Sequence, residues 1–99
     1  MMLTILVTMT VKGEDADEFE AALNALIPLL RKTEPETLRF DCYRVARQDG
    51  VYRLLESYTS REALDFHINN PATEAQRATF KRLLSGPTEV LTLTPLEGK

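Results

Sequence analysis

Four side chains in this chain could do chemistry: Glu56, Tyr58, Tyr43 and His67. Glu56 and Tyr58 lie two residues apart in an alternating segment, so on a strand they share one face. A carboxylate between Leu54 and Tyr58 is costly to bury unless it is paired. It therefore reads either as an ion pair, to Arg44 or Arg53, or as a catalytic carboxylate that orients His67 or shares a proton with it. His67 stands near the end of a short helical segment, three residues before Asn70-Pro71. It can interact with the helix dipole or cap the last carbonyls. It can equally act as a proton acceptor or donor in a pocket, because histidine titrates near neutral pH. Asn70 reads as a helix N-cap rather than a ligand, and Phe66 and Phe80 as core side chains.

Other chemistries find no support in the sequence. It has no Ser-His-Asp pattern, phosphate loop or dinucleotide fingerprint. One histidine and one cysteine are too few for a metal site built from several soft ligands, so no metal is expected. Cys42 has no partner for a disulfide, reads as a small buried hydrophobe and suits a cytoplasmic protein. The net charge of -3, with acids and bases interspersed, argues against nucleic acid or an anionic membrane as partner. The one basic cluster, Arg77, Lys81 and Arg82, falls at helical spacing and reads as a solvated face. The apolar N-terminus lacks the basic start and small-residue cleavage site of a leader peptide. No stretch approaches the length of a membrane span.

The elements that must position these residues follow from periodicity. The 99 residues, 43% hydrophobic and 27% charged, suit a single domain over residues 1–99. Residues 3–11 alternate as a strand, Leu3, Ile5, Val7, Met9 and Val11 against Thr4, Leu6, Thr8 and Thr10. Asp15 followed by Glu18 reads as a capping box that opens a helix with Phe19, Leu23, Leu26, Ile27 and Leu30 on one face. Pro28 is expected to interrupt and kink it. Residues 38–47 and 51–59 read as strands joined at Asp49-Gly50. Thr59 with Glu62 suggests a second capping box. Asn70-Pro71 starts a further helix over residues 71–84, stopped by Ser85-Gly86-Pro87. Residues 89–94 make the last strand.

The order β-α-β-β-α-β, with the second helix broken in two, predicts a ferredoxin-like α+β fold, a four-stranded antiparallel sheet with helices on one face. No strand carries a cleanly polar face. The uncovered side of the sheet would therefore be more apolar than a monomer usually exposes, and a second copy packed on it is the economical cover.

The segment from Leu54 to His67, LLESYTSREALDFH, with LRFDCYR from Leu38 to Arg44 before it and Ser85-Gly86-Pro87 after it, resembles the antibiotic biosynthesis monooxygenase (ABM) family. The most specific part is a strand glutamate, an aromatic two residues on and a histidine on the following helix, here Glu56, Tyr58 and His67. The resemblance implies a dimeric α+β barrel, a homodimer through the open sheet face, with a pocket between sheet and helices. It implies oxidation of a quinol or a phenolic, polycyclic aromatic substrate by O₂ with no cofactor. His67 and Glu56 would be the catalytic groups, and Tyr43, Tyr58 and Phe66 the substrate contacts. Two positions depart from the family pattern: Tyr58 stands where many relatives have tryptophan, and the segment from Glu34 to Thr37 where glycine is common. Haem-degrading relatives use an asparagine, a tryptophan and a ligating histidine at places that hold Thr8 or Met9, His67 and Gln76 here, so haem degradation is not expected. Two other readings stay open, a proton-transfer enzyme such as an isomerase and a non-catalytic ligand-binding dimer.

Overall fold

Alternation along the first strand sets the architecture. In the computed structural model, which describes residues 2–98, β1 (Leu3–Thr10) buries Ile5 and Val7 while Thr4, Leu6 and Thr8 point to the other face. It lies at the centre of the sheet. β3 (Val51–Tyr58) pairs on one side and β4 (Glu89–Leu93) on the other; β2 (Thr37–Arg44) is outermost beyond β3, and every pair is antiparallel. The strand order β2-β3-β1-β4, with three α-helices, is the expected ferredoxin-like fold.

The helices lie on one face because each carries one apolar stripe. Helix α1 (Ala16–Thr33) buries Phe19, Leu23, Leu26 and Leu30 at helical spacing. Phe19 reaches Tyr52 of β3 and Phe80, with ring centroids at 4.7 and 5.3 Å. Phe80 and Leu83 are the buried residues of α3 (Glu74–Leu83), and Ala63 and Leu64 those of α2 (Arg61–Asn69). No helix among the described residues is long and apolar enough to cross a membrane.

Several local expectations are corrected. The α1 helix runs unbroken through Pro28. Its start is a 3-10 turn at Gly13–Asp15, and Asp15 makes no capping bond. Glu18 pairs with Arg82 instead. At α2 the cap is Ser60, whose hydroxyl accepts from the Ala63 N–H at 3.1 Å. Thr59 donates to Glu36. The hairpin is longer than a two-residue turn: β2 ends at Arg44, and residues 45–50 form the connection. Gly50 is required there. Its φ is +77°, and a Cβ would sit 2.1 Å from the Val11 carbonyl oxygen. Asn70 acts as expected, accepting from the Ala72 N–H at 3.0 Å ahead of Pro71.

On the open face, directly opposed residues form rows across the strands. The central row is Asp41, Leu55, Leu6 and Leu91, flanked by Arg39, Ser57, Thr4 and Leu93 on one side and Tyr43, Arg53, Thr8 and Glu89 on the other. The apolar band is narrow and central, with an Arg39–Asp41 ion pair at its edge.

Candidate active site

The same register builds the other face. There Phe40, Glu56, Ile5 and Thr92 stand in one row, so the Glu56 carboxyl lies between an aromatic and an aliphatic neighbour. With 5% of its surface exposed, Glu56 has little water to stabilise a charge. Burial raises its pKa, the Tyr58 hydrogen bond and the His67 charge oppose the rise, and Glu34 adds to it. Tyr58 is fully buried and donates its hydroxyl to Glu56 Oε1 at 2.5 Å. Burial, then the adjacent Glu56 charge, pushes the Tyr58 pKa up, so the phenol stays protonated as the donor.

Above this row, α2 lays His67 against the sheet. Its ring centroid is 5.4 Å from that of Tyr58 and 5.5 Å from that of Phe40. Its Nδ1 bonds Glu34 Oε1 at 2.8 Å. Glu34 is 4% exposed and caps the C-terminus of α1. It also accepts from the Thr37 hydroxyl at 2.7 Å and, on its other oxygen, from Asn70 Nδ2 at 2.7 Å. A carboxylate only accepts, so it assigns the proton to His67 Nδ1 and leaves Nε2 as the acceptor nitrogen. Asn70 thus holds two elements at once. Its oxygen caps the turn into α3, and its amide nitrogen ties that turn to Glu34 and Thr33.

Phe40, Glu56 and His67 border a cavity of about 540 Å³ between sheet and helices. That volume falls within the range that encloses small organic ligands. Its walls are Leu3, Ile5, Val7 and Leu54 from the sheet and Leu64 and Phe80 from the helices; Glu56 and His67 supply its acid–base groups. Arg61, Arg77 and Lys81 also line it. A proton acceptor beside a carboxyl biased to its neutral form, in an apolar chamber, can deprotonate one position of a ligand and donate to another.

The residues singled out in the sequence separate in space. His67 and Glu56 share the cavity, and Tyr58 stands behind Glu56 without lining it. Tyr43 is 55% exposed on the opposite face of the sheet, outside the cavity. Phe66 is 51% exposed on the other flank of α2, so it is neither core nor part of this cavity's wall. Phe80 is core. Cys42 sits beside the row of Leu54, and burial, with Glu56 and Asp41 nearby, raises its thiol to about 11, far from a nucleophilic thiolate. Among the described residues no group of three His, Cys, Asp or Glu side chains could hold a metal ion.

Glu34 and Phe40 were not anticipated as site residues. Glu34 belongs to the segment that departs from the family's glycine, the one signal that pointed to it. Phe40 needed the strand register, which alternation does not supply.

Comparison with known proteins identifies the family and the fold. The chain matches the family model of antibiotic biosynthesis monooxygenases over residues 2–79. Among solved structures it is similar to Rv0793 from Mycobacterium tuberculosis, with 30% identity over 99% of this chain and 98% of that one and a TM-score of 0.84. It is similar to a candidate antibiotic biosynthesis monooxygenase from Caulobacter crescentus CB15, with 28% identity over 97% of this chain and 91% of that one and a TM-score of 0.87. It shares its fold with SnoaB, a cofactor-independent oxygenase from Streptomyces nogalater, in the N63A form, at 18% identity over 98% of this chain and 95% of that one, TM-score 0.79. Among curated proteins, none matches the sequence. The chain belongs to the antibiotic biosynthesis monooxygenase family.

Proposed function

We propose that this protein is a cofactor-independent monooxygenase that oxidises a quinol or phenolic aromatic substrate with O₂ in the cavity between sheet and helices. The observation that carries the reading is His67 on the wall of an apolar cavity of about 540 Å³, held from behind by Glu34 at 2.8 Å. His67 Nε2 takes the phenolic proton, and Glu34 stabilises the imidazolium that forms. The resulting phenolate is electron-rich enough to reduce O₂. One oxygen atom bonds to the ring carbon that loses its hydrogen, the other leaves as water, and the ring ends as a quinone. Glu56, hydrogen-bonded to Tyr58, donates to the oxygen on which charge develops. Apolar walls keep water from the intermediates.

Oxygen uptake with a panel of quinols and naphthols tests this. His67→Ala is expected to lower turnover by about 10²–10⁴-fold, and Glu34→Gln by less, since the base remains but loses its partner. Wild-type protein that consumes no oxygen with any of them removes the oxygenase reading. The juxtaposed base and neutral-leaning carboxyl also suit an isomerase, which anaerobic turnover of an enolisable ketone would reveal.

The oligomer we infer is a homodimer through the open sheet face, supported by Leu6, Leu55, Leu91 and Leu93, of which Leu91 is 61% exposed. Leu91→Asp is expected to shift sedimentation from dimer to monomer; a wild-type protein that sediments as a monomer excludes the interface. The lone, unpaired Cys42 suits a reducing, cytoplasmic setting.

A further inference from the structure

The basic cluster on α3 divides its three residues between two tasks. Arg82 turns toward α1 and pairs with Glu18. Arg77 and Lys81, one helical turn apart, line the cavity together with Arg61 from the start of α2. Arg77 is half-buried, and its guanidinium is steadied by neutral acceptors, the Asn70 carbonyl at 2.6 Å and the Thr73 hydroxyl at 3.2 Å. Among the described residues Lys81 has no hydrogen-bond or ion-pair partner, and no carboxylate pairs with Arg77. Arg61 faces only Asp65, at 3.5 Å on its own helix. Among the described residues, Glu56 is the one acidic side chain lining the same space.

A surface that leaves this much positive charge uncompensated beside an apolar chamber is suited to a ligand that brings its own anion. The charges are graded along the cavity. Glu56 and the His67 side chain, 5% and 15% exposed, are sheltered from solvent. Arg61 and Lys81 are exposed at the mouth. A ligand anion at the mouth would therefore hold an attached ring toward His67.

We propose that the cavity is selective for an aromatic carboxylate, a hydroxylated ring acid whose ring fills the apolar chamber and whose carboxylate is held by Lys81, Arg77 and Arg61. This rests on the reading of the cavity as the substrate site. It adds what that reading leaves open, the charge of the substrate and its orientation. Arg77, anchored by two hydrogen bonds, is pre-organised for a carboxylate. Lys81 supplies a mobile point charge at the rim.

Binding can be measured without turnover. Isothermal titration of the wild-type protein with 2-naphthoate and with its neutral isostere 2-naphthamide compares the same ring with and without the charge. At about 10 mM salt the acid is expected to bind about tenfold more tightly or better, with the gap shrinking at about 0.5 M salt as the exposed cations are screened. Lys81→Gln, at an exposed position, is expected to reduce the preference several-fold, and Arg77→Gln to reduce it further. Equal binding of the two probes by wild type, no binding of either at millimolar concentration, or a preference unchanged in both variants overturns the proposal. Selective binding of the acid with no oxygen uptake from any quinol, naphthol or hydroxynaphthoate leaves this inference standing and removes the oxygenase. Uptake that is equally efficient with naphthols and hydroxynaphthoates does the reverse.

Discussion

Two carboxylates in this molecule each accept a hydrogen bond from a tyrosine hydroxyl, Glu20 from Tyr52 at 2.6 Å and Glu56 from Tyr58 at 2.5 Å. They titrate in opposite directions. Glu20 sits at the edge of the helix layer, where Arg44 donates to both its oxygens at 2.8 and 2.6 Å. Those bonds, then the Tyr52 hydroxyl, lower its pKa to about 2. Glu56 has the same kind of phenolic donor but no adjacent guanidinium, and burial raises its pKa. The hydroxyl is common to both sites. What separates them is the cation and the water, which make one carboxylate a surface tether between α1 and β2 and leave the other buried in a cavity with its pKa raised.

Removing the shared hydroxyl should break the symmetry most clearly. Tyr58→Phe strips a buried carboxyl of its donor and is expected to cost about 1–3 kcal/mol in urea unfolding at neutral pH. Tyr52→Phe leaves Glu20 its arginine and solvent, and is expected to cost under about 1 kcal/mol. Equal losses would mean that solvent access does not distinguish the sites.

A smaller effect lies in the pH dependence of stability, where the two sites oppose each other. Because the folded pKa of Glu20 is depressed from 4.5 to about 2, its contribution is complete above 4.5 and is lost as pH falls through about 2. The folded pKa of Glu56 is raised, so its contribution is complete below 4.5 and is lost as pH rises through the elevated folded value. Glu20→Gln should flatten the acid limb of a stability–pH curve, and Glu56→Gln should flatten the decline that begins above 4.5. Identical curves for the two variants would contradict the contrast.

Much of the fold was legible because helices and strands are written at short range. The alternation of residues 3–11, the stripe from Phe19 to Leu30 and the Asn70-Pro71 start each depend on neighbours within a few positions, and each element is present. Local signals failed where two neighbours competed for one role. Thr59 satisfied the capping-box spacing to Glu62, yet Ser60 caps α2 because Thr59 donates to Glu36, 23 residues away in sequence. Phe66 reads as core by its type, but the turn of α2 that puts Leu64 and His67 on the cavity turns Phe66 to solvent.

At the candidate site, Glu56 and His67 stood out because a carboxylate in an apolar strand and a lone histidine each demand a partner. Their partners did not stand out. Glu34 reaches His67 across 33 residues, and Phe40 meets Glu56 only through the pairing of β2 with β3.

What the residue pattern determines by itself is the set of elements and the two side-chain families on each strand, since a backbone period of two or 3.6 acts locally. Which family faces the helices is decided by the tertiary structure alone. So is the row that aligns Phe40, Glu56 and Ile5, and so is the choice of Glu34 as the carboxylate that holds His67. Burial and hydrogen-bond geometry are set by distances through space, and only the packed chain brings those groups within reach of one another.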